Sequence, residues 1–105
     1  MSLFAWNCQG LGGPWTVQSL EALIRVHHPS VVFLSETKCS SSKIQGLRHR
    51  LNMHSFGVDC HGRSGGLALF WDKSVACTLR NFSSHYIDVT VDFEDGSSPW
   101  RFTGF

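Results

Sequence analysis

Four consecutive apolar side chains, Val31, Val32, Phe33 and Leu34, run between Pro29-Ser30 and the polar Ser35-Glu36. Successive side chains of a strand point to opposite faces, so a continuous apolar run of this length is the signature of a strand buried on both faces. Upstream, "SLFAWN" is short, aromatic and apolar, and the glycine-rich "QGLGG" that follows ends it as a strand running into a loop. Between the two, after Pro14, "WTVQSLEALIRVHH" sets Val17, Leu20, Leu23 and Ile24 at three- and four-residue spacing. That spacing predicts an amphipathic helix, stopped by Pro29. Strand, helix and strand in succession make a βαβ pattern.

Downstream the periodicity shortens. "SSSKIQGLRHRL" predicts a short helix, capped by Ser41 or Ser42 and carrying Ile44, Leu47 and Leu51 on one side, with Gly46 weakening it. Five strands follow: "HSFGVD", "GGLALFW", "VACTLRNF", "YIDVTVDF" and "WRFTGF". In "YIDVTVDF", Ile87, Val89 and Val91 face one way and Asp88, Thr90 and Asp92 the other. Asp95-Gly96 marks a hairpin between the last two strands. The class is therefore α/β, a mixed and mostly antiparallel sheet with one or two helices packed on it. Phe105 lies in an apolar strand with no terminating turn, so the chain is expected to stop inside an element.

A chain of 105 residues, 42% hydrophobic, holds one domain or part of one. A formal net charge of +1 gives no overall attraction to nucleic acid or membrane, so any basic contact surface must be local. Cys8, Cys39, Cys60 and Cys77 are widely separated with no CxxC pair, which argues against structural zinc and a disulfide framework. Cys8 and Cys77 sit in apolar contexts that suit buried free thiols. Neither a signal sequence nor a membrane-spanning run is visible, so the expected setting is intracellular, nucleus or cytoplasm, with no membrane partner.

Ligands of α/β sheets bind beyond the ends of adjacent strands. If the first two strands pair, Asn7 and Glu36 become neighbours there. One carboxylate and one amide suit a hard, oxygen-preferring cation such as magnesium, which takes few protein carboxylates and keeps water and phosphate oxygens. The competing account makes Asn7 a turn residue and Glu36 a solvated loop residue. "KIQGLRHR" gathers Lys43, Arg48 and Arg50 around His49, either a phosphate-contacting patch or an ordinary solvated helix face.

"WNCQGLG", then a helix, then "PSVVFLSETK", "RSGGLALFW" and "WRFTGF" together resemble the start of an endonuclease/exonuclease/phosphatase domain. Among its members the series is most similar to plant LINE-type retrotransposon endonucleases. The resemblance spans essentially all 105 residues and implies the N-terminal half of a four-layered α/β sandwich. It also implies phosphodiester cleavage with magnesium, or manganese in its place, and DNA as partner. Residue by residue, it makes Glu36 of "SETK" the metal-binding glutamate and Asn7 of "WNCQG" the active-site asparagine. Gln9 stands where some relatives have an aspartate, leaving more of the metal site to Glu36; it is a substrate or water contact, or a surface-loop residue. Lys38 and Arg63 are candidate phosphate contacts, with "HGRSGG" equally readable as a plain turn before a strand.

No histidine here matches the family's catalytic one, and His49, His54, His61 and His85 receive no role. His27 and His28 lie at a helix end, where positive charge is mildly favourable. The family's later tyrosine, Asp-x-Asn element and C-terminal aspartate and histidine have no counterpart before Phe105. Residues 1–105 are accordingly expected to be a partial domain, its C-terminal half absent, inactive alone and prone to self-association through uncovered strands such as "GLALFW". Two alternatives remain open: a non-catalytic nucleic-acid-binding or interaction module, and a phosphoesterase for a small phosphorylated substrate.

Overall fold

The computed structural model describes residues 2–105. Ten elements follow one another: β1 (Leu3–Asn7), α1 (Pro14–His27), β2 (Val31–Ser35), α2 (Ser41–Gly46), α3 (Arg48–Leu51), β3 (His54–His61), β4 (Ser64–Trp71), β5 (Ala76–Phe82), β6 (Ile87–Asp92) and β7 (Trp100–Gly104). The α/β class and the layered architecture are as the sequence implies. The strands divide between two sheets, one four-stranded in the order β1-β2-β4-β3 and one three-stranded in the order β5-β6-β7.

β1 and β2 are parallel, with Asn7 opposite Ser35, and α1 makes the crossover between them. Pro14 at the first helical position fixes the backbone angle a helix start needs and gives up an N–H that would have no intrahelical partner. At the other end His28 adopts a left-handed conformation (φ 45°) and its N–H returns to the Ile24 carbonyl at 2.9 Å, so the helix ends just before Pro29.

The double-sided strand predicted at Val31–Leu34 is what holds the layers together. Val32 and Leu34, with Ala68 and Phe70 of β4, meet Val17 and Leu20 of α1, Ile44 of α2 and Leu51 of α3. Val31 and Phe33, with Leu67 and Leu69, meet Ile87, Val89 and Val91 of the second sheet. Burying each such side chain contributes roughly 1.5–3 kcal/mol, so the two clusters carry most of the fold. "GLALFW" is therefore covered by helices on one side and the second sheet on the other, with Leu67 through Phe70 all buried. This corrects the expectation that it would stand uncovered.

Two close approaches between layers leave no room for a side chain. A Cβ on Gly57 of β3 would lie 2.8 Å from Ile44 Cβ, and one on Gly104 of β7 would lie 2.6 Å from Phe33 Cε1. The outer face of the second sheet is polar. Asp88 points there as predicted, yet it is buried, because Arg101 lies over it with Nε at 2.9 Å from Oδ1 and Nη2 at 2.5 Å from Oδ2. Thr103 Oγ1 adds a third bond at 3.1 Å, and the Arg101 guanidinium holds the Asp88 carboxyl below its usual range.

Other local expectations shift. The cap of α2 is Ser40 rather than Ser41 or Ser42: Ser40 is extended and its Oγ accepts from the Lys43 N–H, while the Ser41 N–H is taken by Asp59 Oδ1 at 2.6 Å. The single helix predicted over this stretch breaks at Leu47 into α2 and α3, directly after Gly46. The Asp95-Gly96 signal is realised in the β6–β7 connection, where the Ser97 N–H bonds Asp95 Oδ1 and Gly96 has φ 89°.

Candidate active site

β1, β2 and β3 all run in one direction, since β2 and β3 are each antiparallel to β4. Their C-terminal ends and the start of β4 therefore gather at one rim. A cleft of about 460 Å³ opens there, lined by Asn7 and Ser35 from the ends of β1 and β2, Glu36 just beyond, and Gly65, Gly66 and Leu67 from β4. His61 ends β3 and Ser64 opens β4 on either side of their hairpin turn, and Ser84 and His85 come from the β5–β6 turn of the second sheet. Parallel pairing of β1 and β2 thus brings Asn7 and Glu36 into one cleft, as the sequence reading required.

The backbone around Glu36 is unusually constrained. Glu36 (φ 54°) and Lys38 (φ 56°) are both left-handed, a conformation that costs a non-glycine residue on the order of 1–2 kcal/mol. Hydrogen bonds on both flanks hold them there. From the β1 side, the N–H groups of Cys8, Gly10 and Leu11 donate to the carbonyls of Ser35, Glu36 and Thr37 at 3.1, 2.7 and 2.8 Å. From the β4 side, the Gly66 and Gly65 carbonyls accept from the Thr37 and Lys38 N–H groups at 3.1 and 2.9 Å. Thr37 between them is fully buried, its Oγ1 accepting from the Cys39 N–H.

The carboxylate itself is aimed by the same contact. The Gly65 N–H donates to Glu36 Oε2 at 3.3 Å, and Oε1 has no protein partner among the described residues. Gly65 and Gly66 have φ of 76° and 90°, and a Cβ on Gly66 would run into Thr37 Oγ1 and come within 3.2 Å of the Lys38 nitrogen. Only glycine allows β4 to approach the Glu36–Lys38 segment this closely. Cys8 lies beneath, its Sγ donating weakly to the Glu36 carbonyl at 3.7 Å, and burial raises its pKa, so it stays a thiol.

Among the described residues no cluster of three or more histidine, cysteine, aspartate or glutamate side chains is placed to hold a metal ion. What the cleft offers is one oriented carboxylate and the amide of Asn7. That set suits a hard divalent cation keeping most of its ligands as water and phosphate, and it is too poor for zinc, whose protein sites use three or four ligands.

The remaining candidates fall outside the lining. Gln9 (φ 49°) and Lys38 are exposed on the loops flanking the rim, with Lys38 Cδ 3.8 Å from where a Gly10 Cβ would be. Arg63 is exposed at the tip of the β3–β4 hairpin, where Gly62-Arg63 is a tight two-residue turn; "HGRSGG" is locally the plain turn of the competing account. Arg50 is paired with Glu21 of α1 at 2.7 Å, which removes it from the basic patch, while Lys43, Arg48 and His49 stay exposed. The lining histidines His61 and His85 had no sequence signal. His61 ends a strand of one sheet and His85 sits on a turn of the other, and only the packing of one sheet on the other unites them.

Comparison with known proteins agrees with this layout. A family model described as "Endonuclease/Exonuclease/phosphatase family" matches residues 4–102. A comparison with curated protein sequences finds no match. Among solved structures, the AP endonuclease LMAP from Leishmania major superposes with a TM-score of 0.72 at 16% identity, covering 96% of this chain and 38% of that one. The 3′ phosphatase NExo from Neisseria, bound to a product DNA hairpin, gives 0.66 at 18% identity over 87% of this chain and 37% of the other. An AP endonuclease from Archaeoglobus fulgidus gives 0.64 at 16% identity over 89% and 38%. The chain thus spans well under half the length of these structures. With a family model running almost from end to end and a fold shared with these enzymes, the chain belongs to the endonuclease/exonuclease/phosphatase family.

Proposed function

We propose that this chain is the N-terminal, cation-holding part of a magnesium-dependent phosphodiesterase of the retrotransposon endonuclease type, acting on DNA and inactive by itself. The observation that carries the reading is the clamped, left-handed Glu36 facing the same cleft as Asn7. Strained non-glycine backbone held in place by its surroundings clusters at functional sites, which is why the clamp, and not an ordinary helix cap such as His28, supports the reading. The motif series from "WNCQGLG" to "WRFTGF" supports the retroelement type, and the DNA hairpin bound to the Neisseria neighbour supports the partner.

In this reading Glu36 Oε1 is the cation's protein ligand, with Oε2 fixed by Gly65. A bound magnesium or manganese ion would neutralise charge building on the phosphate and the leaving oxygen. Asn7 donates a hydrogen bond to a phosphate oxygen without adding negative charge beside it. Lys38, Gln9 and Arg63, on loops around the rim, meet the flanking backbone of the strand by charge and hydrogen bonding. One carboxylate does not also supply a base for the attacking water, and groups that act as a unit lose most of the rate when separated. Self-association belongs to the open edges of the sheets, such as that of β7, because their apolar faces are covered.

Calorimetric titration with Mg²⁺ or Mn²⁺ tests the reading. Wild type should bind and Glu36→Ala should not; equal heats for the two proteins would refute it, and plasmid nicking by the chain alone would refute its inactivity. The single carboxylate in the cleft favours one other reading, a non-catalytic nucleic-acid-binding module. Oligonucleotide affinity indifferent to both the cation and Glu36→Ala would select that reading.

A further inference from the structure

The cleft does not end at His61 and Ser84. Those two residues also line a second depression, of about 550 Å³, whose remaining walls include Phe56, Gly57 and Val58 of β3 and Phe82 of β5. It follows the seam between the two sheets, closed at its floor where Phe56 and Phe82 meet edge to face with ring centroids 5.2 Å apart. Phe82 is nonetheless 50% exposed, so about half of the residue is left to solvent. Hydroxyls of Ser41, Ser83 and Ser84 rim the depression together with the Asp59 carboxylate, which accepts from the Ser41 N–H at 2.6 Å, and Arg63 stands exposed on the hairpin beyond His61.

We infer that this groove is a nucleobase subsite: a strand whose phosphate occupies the Glu36 cleft seats a neighbouring, unstacked base on the exposed part of Phe82. This rests on the phosphodiesterase reading and adds to it a preference for single-stranded or locally unpaired nucleic acid. A ligand that is a phosphate at one end and a flat aromatic a short way along fits a polar cleft continuous with an aromatic-floored groove. Base–aromatic stacking tolerates any sequence, because every base has a π face. Polar atoms at the rim with an apolar floor are what a base needs, its edges wet and its face dry.

The test compares binding of two fluorescent probes, a short oligothymidylate and an abasic oligomer of equal length, to wild type, Phe82→Leu and Phe82→Trp in the presence of Mg²⁺. Leucine keeps the apolar bulk against Phe56 but lacks the flat face; tryptophan keeps the face, and thermal melts confirm that each variant folds. Wild type should prefer oligothymidylate, Phe82→Leu should lose on the order of tenfold for that probe alone, and Phe82→Trp should restore it. Unchanged binding in Phe82→Leu, equal losses for both probes, or no wild-type preference between them would overturn the subsite while leaving the phosphate cleft standing. Failure of wild type to bind either probe would overturn the phosphodiesterase reading, and the subsite with it.

Discussion

Replacing Gly66 by alanine should be far more damaging than replacing Gly65, although both have positive φ, of 90° and 76°. At Gly65 a Cβ meets nothing within 4 Å. The cost there is left-handed strain of about 1–2 kcal/mol, offset by about 0.4–1 kcal/mol from the stiffer unfolded chain, for a net of about 1 kcal/mol. At Gly66 the Cβ also meets Thr37 Oγ1 and closes to 3.2 Å on the Lys38 nitrogen and 3.3 Å on Cys60 Cβ. Thr37 is fully buried and has nowhere to go, so the Glu36–Lys38 segment must lift. That breaks the Thr37 N–H to Gly66 and Lys38 N–H to Gly65 bonds, each contributing about 1 kcal/mol, so Gly66→Ala should cost about 3 kcal/mol. Urea unfolding with an unchanged slope reads the difference as a shift in midpoint. The same variant should lose Mg²⁺ binding in calorimetry, because Glu36 Oε2 is released from the Gly65 N–H. Equal midpoints for the two variants would show that the segment is not clamped, and the argument that β4 aims Glu36 would fail.

Gly104→Ala should lower stability by about 1–3 kcal/mol through overpacking, since its Cβ would lie 2.6 Å from the Phe33 ring; a thermal melt matching wild type refutes the tight sheet-on-sheet contact. Burial pushes the Cys77 thiol from 9.0 to about 11, so its contribution is intact below pH 9 and lost as pH rises through 11. Cys77→Val should flatten alkaline denaturation in that window, and an unchanged alkaline limb counts against the half-buried thiol. Asp88, held below its usual range by Arg101, stabilises above the ordinary aspartate pKa and loses that contribution as pH falls. Asp88→Asn should lower stability at neutral pH and reduce its loss in acid; parallel acid curves for the two proteins would refute the pairing.

The parts of this molecule legible in its sequence are those set by local periodicity. The double-sided run at Val31–Leu34 foretold cover on both faces, and the βαβ pattern foretold the parallel pair that places Asn7 opposite Ser35. Division of the strands between two sheets was not legible from periodicity, because alternation says which residues face inward and not which sheet they join. Asp88 shows the same limit: its outward direction was correct, but its burial depends on Arg101 arriving from β7. His61 and His85 were missed for a related reason, since no spacing links positions on separate sheets. The left-handed angles at Glu36 and Lys38 carry no residue signature of their own, for neither is glycine or asparagine. Their trace lies a sheet position away, in the Gly65-Gly66 pair that makes room for them.

The clamp and the groove draw on different parts of the fold. Everything that aims Glu36 lies within the first sheet and its loops: the N–H groups after β1, the carbonyls and N–H at the start of β4, and the buried Thr37. The wall bearing Ser84 and His85, and the exposed part of Phe82, exist only because the second sheet packs on the first through Phe33–Phe102 and Phe56–Phe82 contacts. Damage to the sheet-on-sheet core at Gly104 should therefore weaken contacts to the nucleic acid while leaving cation binding largely in place. Damage at Gly66 should abolish cation binding while leaving the Phe82 groove in place. In the proposed reading, a metal grip set by backbone geometry and a substrate surface set by layer packing can therefore change independently, since a site is grafted on a fold rather than dictated by it.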